Sequence, residues 1–358
     1  MYSRLRPLLF RLEPERAHAL TLNALHRAGN FKPAKWLLSQ IYKSPAKPVR
    51  AFGLTFKNPV GLAAGYDKDG IAIHGLAALG FGHVEIGTVT PNPQPGNPSP
   101  RIFRLLEDEA VINRMGFPSR GSEFVQMHLN PSLQLNVIER FIGFDPRKRK
   151  IQKTSNIILG VNLGRNKNTP NEQAVLDYLA LLQNFAAYAD YLAINVSSPN
   201  TAGLRELQGR AALESLLGQL HKQRLLEQNH HQKRLPILVK LAPDLTDFEL
   251  NDAIEAILNS KMDGVIVTNT TLAREGLRSE HQGESGGLSG KPLAVKSEAV
   301  LRQTVKKING EIPVVSVGGI MNPEDAKRRL DMGAALVQIY TGLIYRGPGL
   351  VREILRHI

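Results

Sequence analysis

The residues of this chain able to do chemistry stand where short apolar runs stop. The first run leads into Ala63-Ala64-Gly65-Tyr66-Asp67-Lys68-Asp69-Gly70, and later ones end in Gly87-Thr88, Asn162, Asn195-Val196-Ser197-Ser198-Pro199-Asn200-Thr201, Lys240 and Thr268-Asn269-Thr270. Amides offer both a donor and an acceptor, hydroxyls relay protons, and lysines stabilise developing negative charge. Taken singly, each Asn or Thr is explained as a turn or helix cap. Buried together they need partners, and a polar planar ligand supplies them. The last two runs end in Gly318-Gly319-Ile320 and Tyr340-Thr341-Gly342, with Gly286-Gly287-Leu288-Ser289-Gly290 placed to fold over the same region. Glycine-exposed backbone N–H groups there suit a phosphate, hence a nucleotide, with FMN the usual redox occupant. Neither a GxGxxG after the first strand nor a GxxxxGK[ST] occurs, which argues against a Rossmann dinucleotide site and a P-loop.

Such residues need a scaffold that gathers strand ends. Apolar runs at 60–64, 83–88, 156–163, 191–196, 237–241, 265–269, 314–318 and 337–341 alternate with helical patterns at 70–79, 172–188, 209–228, 247–260, 292–308 and 323–331. Alternation of this kind predicts a parallel sheet, and eight units over about 300 residues favour an α/β fold of the (β/α)8 TIM-barrel type over an open doubly wound sheet. The long stretch after the second strand, with 102–111 and 117–129, predicts an excursion at the barrel mouth. Its basic run Arg147-Lys148-Arg149-Lys150 reads as a solvated loop. Before the barrel, helices are predicted at 14–29 and 33–42, followed by a linker at 44–50. The expected organisation is a small two-helix domain with its linker over 1–50 and a barrel over 51–358.

Composition limits the chemistry. The chain has 358 residues, 42% hydrophobic and 22% charged, enough to bury a large core and too apolar for a disordered chain. It has no cysteine, which removes disulfides, thiolate metal sites, Cys-ligated iron–sulfur clusters and cysteine acid–base catalysis. A reducing compartment is compatible with this. The net charge is +13, and residues 1–50 alone hold ten Lys/Arg against two acids. Such a surface attracts anionic lipid or nucleic acid. The two N-terminal helices either lie on a membrane surface or form a hairpin packed on their own domain. No apolar run approaches the roughly 18 to 20 residues that cross a bilayer, and no secretory signal pattern is seen, so 1–50 reads as mature structure.

Together, the 63–70 motif, Asn113-Arg114-Met115-Gly116-Phe117, the 195–201 motif and Gly286-Gly287-Leu288-Ser289-Gly290 resemble the class 2, quinone-linked dihydroorotate dehydrogenases over nearly the whole chain. The resemblance implies FMN, oxidation of (S)-dihydroorotate to orotate in pyrimidine biosynthesis, and a membrane quinone as second substrate. It implies Ser198 as the catalytic base, with Ser197 the competing candidate and Thr201 with an ordered water as helpers. Substrate contacts are implied for Lys68, Asn113, Arg114, Met115, Gly116, Phe117, Asn195, Asn200, Asn269 and Thr270. Flavin contacts are implied for Ala64, Gly65, Tyr66, Asp67, Lys68, Thr88, Asn162, Asn195, Lys240, Thr268, Gly290, Gly319, Tyr340 and Thr341, with no metal. His18 and Arg104 correspond to the quinone end of a tunnel lined by the N-terminal helices. The further expectations are peripheral association with the cytoplasmic face of the cell membrane, no nucleic-acid partner and no iron–sulfur partner subunit.

Two departures stand out. Pro118-Ser119-Arg120 replaces the two asparagines that usually follow the Asn-Arg-Met-Gly-Phe motif, and the segment at about 129–155 is longer than usual. A tRNA dihydrouridine synthase, also an FMN barrel with a basic surface, relies on a cysteine acid that this chain lacks. A non-enzymatic phosphate-binding scaffold on membranes explains the glycines and the basic hairpin but gives Lys68, Ser198 and the strand-end asparagines no role.

Overall fold

The computed structural model describes residues 2–130 and 157–358. The basic run at 147–150 and nearly all of the long segment at 129–155 lie outside the described residues. Three helices open the chain: α1 (Tyr2–Arg11), α2 (Pro14–Asn30) and α3 (Lys32–Ile41). The two predicted helices are α2 and α3, and α1 is an addition. Pro7 in the middle of α1 and its run of arginines hide it from periodicity, because proline removes a helix donor. The start of α2 is set by Glu13, whose carboxylate accepts from Glu15 N at 3.0 Å and Arg16 N at 2.8 Å, followed by Pro14 in the first turn.

The linker ends in a short hairpin, β1 (Val49–Ala51) and β2 (Leu54–Phe56), whose Phe56 and neighbouring Phe52 plug one end of the barrel. The barrel strands are β3 (Val60–Leu62), β4 (His83–Val89), β7 (Ile158–Leu163), β8 (Tyr191–Asn195), β9 (Ile237–Leu241), β10 (Gly264–Val267), β12 (Val314–Val317) and β13 (Leu336–Ile339), closed in that order. All eight are parallel to their neighbours, and nearly every residue in them is buried, as expected when side chains fill the interior and helices cover the outside. Gly160 shows the tightness of that filling: a Cβ there would sit 2.2 Å from Cζ of Tyr191. Helices α4 (Ile73–Ala78) and later Ala174–Phe185, Arg210–His231, Asp247–Asn259, Ala294–Ile308 and Pro323–Asp331 occupy the predicted helical stretches, most with trimmed ends, while Arg210–His231 runs past the predicted end at 228.

Several predicted strands run past their observed ends. The run at 265–269 stops at Val267 and that at 337–341 stops at Ile339, with Thr341 already opening a helix, Thr341–Arg346. The polar residues leave the ladder to face the barrel mouth. The expected excursion holds β5 (Ile102–Leu105), β6 (Ala110–Asn113) and then helix α5 (Ser122–Leu129), and its two strands form a three-stranded antiparallel sheet with β11 (Gly287–Gly290), which comes much later in the chain. Pairing of Gly287 with Asn113 brings the 286–290 glycines over the mouth. On the same side α2 lies against α4, with a close approach at Gly75, where a Cβ would be 2.1 Å from the Leu25 carbonyl oxygen.

Candidate active site

A cavity of about 460 Å³ opens at the carboxyl ends of the barrel strands and continues beneath the N-terminal helices. Lys240, Ser198 and Gly319 line its deep end; Leu9, His18 and Leu38 line its outer end. Its floor is a hydrogen-bonded polar network. Buried Glu85 accepts from Asn162 Nδ2 at 2.9 Å, Tyr191 OH at 3.0 Å and Gln338 Nε2 at 2.9 Å. Thr88 Oγ1 donates to Asn162 Oδ1 at 2.6 Å, and Asn195 Nδ2 donates to Thr88 Oγ1 at 3.0 Å and Asn162 Oδ1 at 3.1 Å. Asn269 Nδ2 extends the chain to Ser197 Oγ at 3.0 Å and Asn195 Oδ1 at 3.3 Å. Networks of this kind fix amide orientations before a ligand arrives; within this one Gln338 Oε1 alone is buried without a partner among the described residues.

The two adjacent serines differ in direction. Ser197 is fully buried, does not line the cavity, and its hydroxyl donates to Asn195 Oδ1 while accepting from Asn269. Ser198 lines the cavity, and its Oγ accepts the Asn200 backbone N–H at 3.2 Å. The turn-capping bond expected of a structural serine is therefore present, and it leaves the Ser198 proton free. Thr201 Oγ1, close in sequence, is buried without a hydrogen-bond partner. Across the cavity Asn200 Nδ2 donates to Asn113 Oδ1 at 3.2 Å, joining the serine loop to the mouth sheet.

Two lysines face the same space, and neither ammonium has a hydrogen-bond partner among the described residues. Burial pulls the Lys240 pKa below its ordinary value, with Glu85 opposing; burial does the same to Lys68, opposed by Glu15 and Asp69. Buried cations of this sort are stabilised by an anionic or electron-rich ligand. Thr268 Oγ1 is a further buried, unpartnered group at the cavity wall. Gly319, at φ +74°, packs so closely that a Cβ would lie 2.3 Å from Ala294 Cα.

Toward the N-terminal helices, ring contacts run from Tyr340 to Tyr66 (centroids 6.0 Å) and from Tyr66 to His18 (5.0 Å). Burial lowers the His18 pKa to about 3, leaving the ring neutral. Arg104 lies over the Phe10 ring at 4.6 Å and donates to the carbonyls of Phe10 at 3.2 Å and Leu12 at 2.9 Å, fastening α1 to β5.

Of the residues for which the resemblance implies a substrate, flavin or quinone contact, all but three line this cavity; Ser197 and Thr201, the alternative base and the helper, lie behind it. Asn162 lies one layer below, in the buried network. The carboxylate of Asp67 turns away to accept from Ile71 N at 3.0 Å and Ala72 N at 2.8 Å, holding the 67–72 loop. Arg114 turns outward to Glu284 at 2.5 Å and stacks over Phe103 at 4.5 Å. Sequence reasoning overlooked Tyr2 and Leu9, which come with α1, and Gln338, which also lines the cavity. A glutamine inside an apolar strand was a readable signal for the last.

The fold and site define a (β/α)8 barrel whose polar mouth is capped by N-terminal helices. The sequence pattern of dihydroorotate dehydrogenase matches residues 48–358. The dihydroorotate dehydrogenase (quinone) of Idiomarina loihiensis is 47% identical, covering 100% of both chains, and that of Edwardsiella ictaluri is 46% identical, covering 100% of this chain and 99% of its own. The crystal structure of DHODH from Eimeria tenella in complex with ferulenol superposes with a TM-score of 0.79 at 39% identity, covering 96% of this chain and 90% of its own. The chain belongs to the dihydroorotate dehydrogenase family, a family of oxidoreductases.

Proposed function

We propose that this chain oxidises (S)-dihydroorotate to orotate in pyrimidine biosynthesis, with one FMN per chain as hydride acceptor and a membrane quinone as final acceptor. The observation that carries this reading is the single cavity joining Ser198, the asparagines and both lysines to the underside of the basic N-terminal helices. The residues fit a flavin nucleotide: unpaired Lys240 and Thr268 Oγ1 offer donors to a polar ring, and Gly290, Gly319 and Thr341 offer close backbone approach to a phosphate. Bound FMN supplies the hydride acceptor.

The chain's own residues supply the rest. Forming orotate removes a proton from one ring carbon and a hydride from its neighbour. Ser198 gives its own hydroxyl proton to water as Oγ takes the ring proton; serine is a weak base, so the negative charge developing on Oγ as its own proton leaves needs the Asn200 N–H that it already accepts. Thr201, whose hydroxyl is otherwise unpartnered, relays the proton outward with water. Asn113, Asn195, Asn200 and Asn269 orient the pyrimidine through paired donors and acceptors, and Lys68 stabilises its carboxylate. Residues 1–50 form the quinone-access and membrane unit, and 51–358 the catalytic unit. Phe31, Trp36 and Leu37 are exposed beside Lys32 and Lys35, a combination suited to the cytoplasmic face of a cell membrane. No helix among the described residues is long and apolar enough to cross a membrane.

The direct test is spectroscopic. Full-length protein is expected to purify yellow, to lose its flavin absorbance anaerobically on adding dihydroorotate, and to regain it with a quinone. A colourless protein unable to take up FMN overturns the reading, and bleaching only by NADPH with RNA-dependent turnover replaces it.

A further inference from the structure

We infer that Arg329 is a positioning residue for the phosphate of the bound nucleotide, acting from behind the Gly318–Gly319 loop; the inference rests on the FMN reading above. Arg329 lies in the helix Pro323–Asp331, is fully buried, and does not line the cavity. Its Nη2 reaches three acceptors: Ser297 Oγ at 2.8 Å, Ala294 O at 2.9 Å and Gly318 O at 3.0 Å. Ser297, also fully buried, completes the clamp by donating to Gly318 O at 2.8 Å and to Ala294 O at 3.0 Å. Two side chains thus hold the carbonyl of one peptide in a loop where both glycines have positive φ.

The geometry has a direct consequence at the cavity. A peptide unit is planar and trans, so its C=O and N–H point in opposite directions. With the Gly318 C=O turned back onto Arg329, the Gly319 N–H is turned forward, on the residue that lines the cavity. That N–H has no partner among the described residues. Gly319 packs directly on Ala294, the other residue whose carbonyl the clamp holds, so loop and turn are set as one unit. The guanidinium also puts positive charge behind the cradle, shared with Glu298 Oε1 at 3.3 Å from Nε. Its Nη1 is buried with no hydrogen-bond partner, a cost that a wholly apolar residue at this position would avoid.

A structural arginine would support the fold regardless of ligand, whereas this one should be felt through the phosphate. The test compares FMN with riboflavin, which has the same ring and no phosphate. Full-length wild type, Arg329→Met, Arg329→Lys and Ser297→Ala are titrated with each flavin and read by flavin fluorescence. Arg329→Met is expected to weaken FMN binding about tenfold or more while changing riboflavin binding less than about twofold, the scale of a lost charge-assisted hydrogen bond. Arg329→Lys should recover part of the FMN affinity, and Ser297→Ala should show a smaller loss of the same selectivity. If Arg329→Met does not fold, Ser297→Ala carries the comparison. Equal weakening of both flavins, or unchanged FMN affinity in the folded variants, overturns the inference. Wild type that binds both flavins equally refutes the phosphate cradle itself, a separate outcome.

Discussion

Arg205 and Asp244 tie two loops of the cavity wall together. Arg205 Nη1 is 2.9 Å from Asp244 Oδ2, while its Nε donates to Ser197 O at 3.1 Å and its Nη2 to Thr270 O at 2.9 Å. Asp244 also accepts from Thr271 Oγ1 at 2.5 Å, Lys296 Nζ at 2.6 Å and Leu272 N at 3.0 Å. Burial alone would raise the Asp244 pKa; Lys296, Thr271, Leu272 and Arg205 outweigh it and hold the carboxyl below its ordinary value. The loop bearing Ser198 and Asn200 and the loop bearing Asn269 and Thr270 are therefore set by one side-chain pair that does not itself line the cavity. Arg205→Ala or Asp244→Asn should slow anaerobic flavin reduction by dihydroorotate about tenfold to a hundredfold, since small misplacements are costly in rate. Reoxidation by quinone should barely change, and the double variant should be little worse than either single one. Additive losses would mean that the two residues act separately.

The two serines give a sharper contrast. Ser198→Ala should slow flavin reduction about a hundredfold to ten-thousandfold with FMN still bound, the range expected for a lost general base. Ser197→Ala breaks bonds to Asn195 and Asn269 in the buried network, so it should lower thermal stability and affect reduction less. Stopped-flow traces of the two variants decide the assignment. An undiminished rate in Ser198→Ala removes it from the proton step.

Acid stability has a definite sign. His18 and His83 are held near pKa 3 by burial, whereas unfolded histidine titrates near 6.5. As pH falls below about 6.5 the unfolded chain gains two protons that the folded one refuses, so stability declines. Asp67 works the other way. Burial raises it to about 6, so the folded chain takes up its proton first and gains some stability between pH 6 and the unfolded value of 3.8. Burial also lowers His74, His221 and His231, which act in the same direction as His18 and His83, so a net loss results. The urea midpoint should fall between pH 7 and pH 4.5, and His18→Gln should flatten that fall. Equal acid sensitivity in the variant would show that His18 is not a contributor.

The N-terminal helices should matter to the two half-reactions unequally. Removing residues 1–43 is expected to impair quinone turnover and liposome binding far more than reduction by dihydroorotate. Because α2 packs on α4, the milder pair Trp36→Ser and Leu37→Ser separates surface from packing, both side chains being more than half exposed. That double variant should lose vesicle sedimentation with its dihydroorotate half-reaction intact. Equal losses in both half-reactions would make the helices chiefly structural.

Much of this was legible in one dimension. The alternation of apolar runs and helical patterns is local, recorded in the residues that form each element, and it predicted all eight barrel strands and their order. The strand-end motifs followed from the same logic, since a barrel puts its polar groups where strands stop. Periodicity did not reveal α1, whose proline masks a helix held by contacts such as the Tyr2 hydroxyl on the Ile344 carbonyl at 2.5 Å. Nor did it separate Ser198 from Ser197, because the side of a loop that faces a cavity depends on what packs behind it. Asp67 and Arg114 stood inside matching motifs, yet their side chains turn to the 67–72 loop and to Glu284, partners that only folding brings near. Residues holding the site from outside it, Arg205, Asp244 and Arg329, carry no motif at all. Sequence by itself determined which elements form and which residues end them. Tertiary structure decided which side chains meet, because burial and hydrogen bonding between distant segments are settled only when the barrel closes.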